Sequence, residues 1–323
     1  DSTEAVVDEA IAKGCDLIIA HHPIVFGGLK RFTGSNYVQR AVMKAIRNDI
    51  AIYACHTNLD NILRGGVNER IAQQLGLKVQ HVLRSQEGLL LKLAVYVPLT
   101  DVEALTEALF AAGAGKIGNY DECAFTLEGE GCFRPNADAN PTLGVAGRRE
   151  RVQEARIEVL VPTWLKASVS KAMTAAHPYE EVAHEWVALS NASTEYGAGV
   201  LCEFDEAMPA IDFLKHVQTR MGCEVVKYTK SGVTLVKRVA ICGGAGSFLI
   251  GDALRAGADA FVTSDVKYHE FFDAEEKLLL CDIGHFESEK YTIDLFSAIL
   301  SSKFPKFATI FAETITNPID YLT

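Results

Sequence analysis

Short apolar runs alternate with amphipathic stretches at both ends of this chain, and that rhythm restricts the fold more than any other feature. In the first part, D-L-I-I-A at 16–20 and I-A-I-Y-A at 50–54 read as strands, with helices near 36–48 and 65–75. In the last part, R-V-A-I-C-G-G at 238–244, A-F-V-T-S at 260–264 and L-L-L-C-D-I at 278–283 read as strands. A helix to about Ala256 and another from His285 complete that part. Such alternation is the mark of a parallel sheet with crossover helices. Ser2 or Thr3 caps a first helix running to about Lys13, so the chain starts as though a strand preceded it.

The middle has another rhythm. K-L-A-V-Y-V at 92–97 is followed by a helix at 101–112, glycine-rich strand text from Tyr120 to Phe133, and R-I-E-V-L-V at 156–161. A helix at 163–176 and a strand near 182–189 follow. That order is β-α-β-β-α-β, the ferredoxin-like split motif. The expected architecture is α/β: a discontinuous body of residues 1–91 and 190–323, with an α+β domain of residues 92–189 inserted in it. The loop 134–149, rich in Pro, Asn, Asp and Gly, reads as a mobile excursion of the insert.

Composition narrows the function. A hydrophobic content of 49% over 323 residues is ample for packed cores. A net charge of −11 with no Lys/Arg-rich run opposes general nucleic-acid binding. Eight cysteines without a C-x-x-C pair suit reduced thiols in a cytoplasm rather than a disulfide framework or a thiolate zinc site. No apolar stretch approaches a membrane span, and the first residues do not resemble a signal peptide.

Three motifs carry chemistry, each just past a strand. In A-H-H-P, His21 and His22 end the first strand, and Pro23 stops it from continuing. Ligands of open α/β sheets gather at that edge. Adjacent residues of an extended chain point apart, so the pair serves two neighbouring ions more easily than it chelates one. The second strand ends in H-T-N-L-D, placing His56, Asn58 and Asp60 at the same edge, with Asp60 able to bridge two cations and His56 or Asn58 able to orient a ligand. In D-I-G-H-F-E-S-E, His285 and Glu289 stand four apart on one helix face, while Glu287 and Ser288 turn elsewhere. Taken alone, each motif is better read as ordinary structure: a buried imidazole beside a solvated one, a turn cap, an exposed i,i+4 pair. Their convergence on one edge reverses that. Three histidines and two carboxylates suit Zn²⁺, Fe²⁺ or Mn²⁺ without singling out one.

Other motifs are weaker. T-S-D-V-K-Y-H offers Asp265, Lys267 and His269 as substrate contacts or as plain surface polarity after a strand. C-G-G-A-G-S at 242–247 has backbone N–H groups for an anion but lacks a phosphate loop's lysine, so a tight turn is the better reading. A-H-P-Y-E-E-V, with His177, lies in the insert and reads as a turn or an assembly contact.

With these residues assembled, the chain resembles the dinuclear-metal-centre hexameric family known as GTP cyclohydrolase 1 type 2 homologs. G-C-D-L-I-I-A-H-H-P-I-V-F, H-T-N-L-D, G-A-D-A-F-V-T-S-D-V-K-Y-H and D-I-G-H-F-E-S-E look like its signature blocks, in order. By that resemblance His21, His22, Asp60, His285 and Glu289 match the ligand positions, and His56 falls outside them. G-K-I-G-N-Y-D-E-C-A-F, G-E-G-C-F-R-P and H-P-Y-E-E-V-A look like the PII-like inserted domain of the longer members. The resemblance implies a toroidal homohexamer with metal sites facing an internal cavity. By the resemblance, a segment of a few dozen residues is expected before D-S-T-E.

The function expected is that of a cytoplasmic metal-dependent hydrolase holding two divalent ions per subunit. Its substrate would be a small molecule, a nucleotide by the family name, with His56 or His269 shuttling protons. The competing expectations are a non-enzymatic, ring-shaped metal-binding scaffold or regulator, and a metal store.

Overall fold

The computed structural model describes residues 1–322. Helix α1 (Glu4–Ala12) starts where Thr3 Oγ1 accepts the Val6 N–H, and strand β1 (Leu17–Ala20) follows. Helix α2 (Tyr37–Arg47) is capped by Asn36, whose side chain accepts the Gln39 N–H at 2.9 Å. Strand β2 (Ala51–Ala54), the short α3 (Thr57–Asp60), α4 (Val67–Leu75) and β3 (Lys78–Ser85) come next. Strand β4 (Leu90–Pro98), α5 (Val102–Ala111), β5 (Ala124–Phe133), β6 (Glu150–Pro162), α6 (Lys166–Ala176) and β7 (His184–Ala188) form the middle. The last part holds β8 (Gly197–Pro209), α7 (Ala210–Met221), β9 (Lys227–Tyr228), β10 (Leu235–Ala245), α8 (Ile250–Arg255), β11 (Ala260–Ser264), β12 (Leu279–Asp282), α9 (His285–Glu289) and α10 (Thr292–Lys303).

The chain divides into two compact units, residues 1–85 with 195–323, and residues 86–194. In the second unit the order is β-α-β-β-α-β and the sheet order is β5-β6-β4-β7, antiparallel throughout. Its core is Leu93, Val95 and Val97 of β4 and Ile157, Val159 and Val161 of β6, packed with Leu105 and Leu109 of α5 and Val169 and Met173 of α6. The loop 134–149 is tied down by Asn140 N–H to Glu180 and by the Thr142 hydroxyl to the Pro178 carbonyl, at 2.9 and 2.6 Å.

In the first unit, β1 and β2 pair in parallel as a separate two-stranded sheet, held by α1 and α2 through Val7, Ile18, Ala45 and Ile50. The remaining strands form a six-stranded mixed sheet in the order β3-β8-β10-β11-β12-β9. Only β10, β11 and β12 run parallel in it, while β3 is antiparallel to β8, β8 to β10 and β9 to β12. The single parallel sheet read from the sequence is thus two sheets. The long β8, which follows the second unit, lies antiparallel beside β10. Val200, Cys202, Val239, Ile241 and Val262 join Ile71, Leu75, Phe213 and Met221 in the larger core.

Candidate metal centre

β1 and β2 end side by side in their own sheet, Ala20 paired with Ala54. His21 and His22 therefore leave one strand where Cys55 and His56 leave the other, and α3 carries Asp60 one turn further on. From the six-stranded sheet, β12 ends at Asp282 and α9 opens at His285, so the third motif comes from a different sheet from the first two. The motifs converge across two sheets rather than along one edge.

The side chains that meet do so closely. His21 Nε2 lies 3.3 Å from Asp60 Oδ1 and 3.6 Å from Glu289 Oε1. His22 Nε2 and His285 Nε2 each lie 3.1 Å from Glu289 Oε2, and 3.3 Å from one another. Three groups have ligand atoms near enough to hold an ion: His21, Asp60 and Glu289; His22, His285 and Glu289; and His21, His22 and His56. Glu289 is shared by the first two, one oxygen turned to each, whereas Asp60 stands in one. The expectation for Asp60 is a carboxylate between two cations; of the two carboxylates it is Glu289 that stands in both groups.

Whether a cation fits can be judged from unmet polar atoms. His21 Nε2, Asp60 Oδ1 and Glu289 Oε2 are all buried without a hydrogen-bond partner in line. Buried polar atoms are normally paired, and an unpaired one costs about 1–3 kcal/mol. Here His21 Nε2 and Asp60 Oδ1 face one another at 3.3 Å, and Glu289 Oε2 faces His22 and His285. Three histidines also have their Nδ1 beside an acceptor, which leaves Nε2 toward the centre. His21 Nδ1 is 3.0 Å from the Cys55 carbonyl, which can only accept, so that nitrogen carries a proton and Nε2 is the one turned to Asp60 and Glu289. His285 Nδ1 lies 2.6 Å from Asp265 Oδ2, and His22 Nδ1 3.3 Å from Asp1 Oδ1. Imidazole and carboxylate donors without a thiolate suit Zn²⁺, Fe²⁺ or Mn²⁺.

The electrostatics agree with a site awaiting positive charge. Burial pushes the Asp60 carboxyl up to about 6 despite the nearby His21. Burial would raise Glu289 as well, but the three imidazoles around it hold it below the usual carboxylate range. The bond to Glu289, with that to Asp265, raises His285 to about 9. His56 is lowered, first by burial and then by His21 and His22, so it is neutral at pH 7 and free to accept a proton.

The glycine-rich end of β10 serves the site differently from either reading of it. The Gly243 N–H donates to Asn68 Oδ1 at 2.9 Å and the Gly244 N–H to Ser288 Oγ at 3.0 Å, so neither is left for an anion. Asn68, unremarked in the sequence, and Ser288, read there only as turning away from the ligand face, thereby fix α4 and α9 against that strand end. No motif signals them, because each acts through bonds to backbone groups: Asn68 also donates to the Asp60 carbonyl and Ser288 to the His285 carbonyl, both at 2.8 Å. Asn58 donates to Cys55 Sγ at 3.2 Å, and Lys267 opens the 3₁₀ segment that carries His269. His269 packs against Tyr268 and Phe272 and does not line the cavity at the centre. His177 is buried in the other unit, with Nε2 2.8 Å from the Tyr96 carbonyl.

That cavity, about 910 Å³, lies wholly in the first unit and is lined by the histidines, Phe26, Phe248, Phe296 and the segment 312–319. Lys290 is the one Lys or Arg among its described lining residues, against Asp1, Asp60, Glu289 and Glu313. No helix among the described residues is long and apolar enough to cross a membrane.

The chain is similar to two proteins named GTP cyclohydrolase 1 type 2 homolog. That of Halalkalibacterium halodurans is 42% identical over 287 residues, 88% of this chain and 77% of the relative. That of Bacillus subtilis is 40% identical over 329 residues, 100% of this chain and 87% of the relative. Among solved structures, a Bacillus cereus protein related to NIF3 superposes with a TM-score of 0.84 at 37% identity, covering 100% of this chain and 87% of that one. A Staphylococcus aureus protein gives a TM-score of 0.75 at 29% identity, covering 100% and 86%. The profile of the family Duf34/NIF3 (NGG1p interacting factor 3) matches residues 1–318, and the chain belongs to that family.

Proposed function

We propose that this chain holds two divalent cations, Zn²⁺, Fe²⁺ or Mn²⁺, on His21, His22, Asp60, His285 and Glu289, and is a metal-dependent hydrolase of a nucleotide-like small molecule. The observation that carries the reading is that His21 Nε2, Asp60 Oδ1 and Glu289 Oε2 are buried without partners within the two ligand groups that share Glu289. Divalent ions bound there supply a Lewis acid and bring the pKa of water toward about 7. The chain's own residues do the rest. Glu289 divides its two oxygens between the ligand groups, and Asp60 adds the second negative charge. His56, its pKa lowered by burial and its ring centroid 5.1 Å from that of His22, would be the residue placed to take a proton from a water at the centre. His269 would serve only by reaching the cavity from the segment 268–274. The aromatic wall of Phe26 and Phe248 offers a ring-shaped substrate a face to stack on. The assembly proposed is a cytoplasmic homohexamer, with residues 86–194 as a PII-like domain.

The test is metal analysis of the purified protein together with turnover of GTP and other nucleotides. Two ions per chain with nucleotide hydrolysis, abolished by Glu289→Gln, supports the reading; full occupancy without turnover overturns the hydrolase half of it. A second reading, a non-enzymatic metal-binding regulator or scaffold, is favoured by the cavity's lone lysine, since a triphosphate normally meets several cationic groups. Retention of the cellular role by metal-free His22→Ala protein would establish that alternative.

A further inference from the structure

Asp265 is the residue at the centre that no ligand role explains. Its Oδ2 lies 2.6 Å from His285 Nδ1, on the side of the ring away from Glu289. Its backbone is in the left-handed region at φ 55, an arrangement a residue with a Cβ adopts at a cost of roughly 1–2 kcal/mol. Strain of that kind persists where the surroundings impose it. They do so here through Asp282, 2% exposed at the end of β12. Asp282 Oδ2 accepts the Val266 N–H at 3.3 Å and lies 2.5 Å from Lys227 Nζ, while its Oδ1 accepts the Gly284 N–H at 3.1 Å. One buried carboxylate thus ties the residue after Asp265 to the residue before His285.

We propose that Asp265 is a positioning residue for His285: held by Asp282, it keeps the proton on Nδ1 and turns Nε2 toward Glu289 and His22. A carboxylate accepts and does not donate, so Nδ1 keeps its hydrogen, and Nε2 is the nitrogen whose proton a cation would displace. The ring is fixed before any ion arrives. This inference rests on the metal-centre reading for its effect on binding, but the Asp265–His285 pairing itself does not need a metal.

The test uses Asp265→Gly, which removes the carboxylate and relieves the left-handed backbone, and Asp265→Asn, which keeps an acceptor in the same place. In equilibrium titrations of the metal-free full chain with Co²⁺, the Gly variant is expected to bind one of two ions about 10–100-fold more weakly, with its melting temperature before metal addition not lowered. The Asn variant should recover most of that loss. In proton NMR of the metal-free chain, wild type should show a downfield His285 Nδ1–H signal that the Gly variant lacks. Wild-type Co²⁺ affinities in the Gly variant, or a ring signal unchanged by it, overturn the proposal. Failure of wild type to bind Co²⁺ would overturn the metal centre instead, and the ring signal would still decide the role of Asp265.

Discussion

A Cβ built on Gly244 would stand 2.4 Å from Glu289 Oε1. The end of β10 therefore approaches the shared carboxylate as closely as backbone allows, and with φ at +63 a side chain there is doubly disfavoured. Gly244→Ala should push Glu289 off its position and lower metal content well below that of wild type, with a stability loss of about 1 kcal/mol or more from the backbone alone. Gly65→Ala is the control: its φ is +70 and its Cβ meets nothing within 4 Å, so it carries the strain without touching the site. Metal analysis of both variants separates the two effects. Equal metal loss in both would remove Gly244 from the account.

Sharing predicts an asymmetry between the two acids. Glu289 stands in two ligand groups and Asp60 in one. Glu289→Gln should therefore abolish binding of both ions, while Asp60→Asn leaves the group of His22, His285 and Glu289 able to hold one. Metal-to-protein ratios after dialysis would show it, and two ions retained by Glu289→Gln would refute it.

Asp60 also sets the pH response of the metal-free protein. Its folded pKa of about 6 lies above the ordinary 3.8, so the folded state holds the proton longer than the unfolded one. The stabilising contribution is present below about pH 4 and is lost as pH rises through 6. His285, raised from 6.5 to about 9, acts in the same direction over the next interval, its contribution fading as pH rises through 9. Chelated wild type should lose stability from pH 4 to 6, and Asp60→Asn should remove most of that loss, about 1–3 kcal/mol at pH 7. Denaturant melts at several pH values measure it. No difference between the two proteins across that window would contradict the burial of Asp60.

How much of this was legible in the sequence depends on the kind of signal each residue leaves. His21, His22, Asp60, His285 and Glu289 follow strand-like runs and share no other obvious task, so spacing found them, and the structure brings all five together. The sheet was harder. β8 and α7 went unread: β8 mixes buried Val200, Leu201 and Cys202 with exposed Asp205 and Glu206, and its pairing with β3 and β10 is long-range. Asp265 read equally well as surface polarity, because a bond to a histidine twenty residues away has no local pattern. Gly244 read as a turn, since what it makes room for arrives from residue 289.

The same donors predict a proton count. Near pH 8 metal-free His285 is protonated and must lose that proton before Nε2 can bind a cation, whereas Asp60 and Glu289 are ionised already. Zn²⁺ binding at pH 8 should therefore release about one proton per chain from His285, and the release should grow as pH falls through about 6, where Asp60 is protonated too. Calorimetric titrations in two buffers of different ionisation enthalpy give this number directly. His285→Gln should abolish the release at pH 8 and leave the Asp60 contribution at pH 5. A release near zero at pH 8 in wild type would mean that His285 is neutral before metal arrives, and that its bonds to Glu289 and Asp265 do not hold the charge their distances imply.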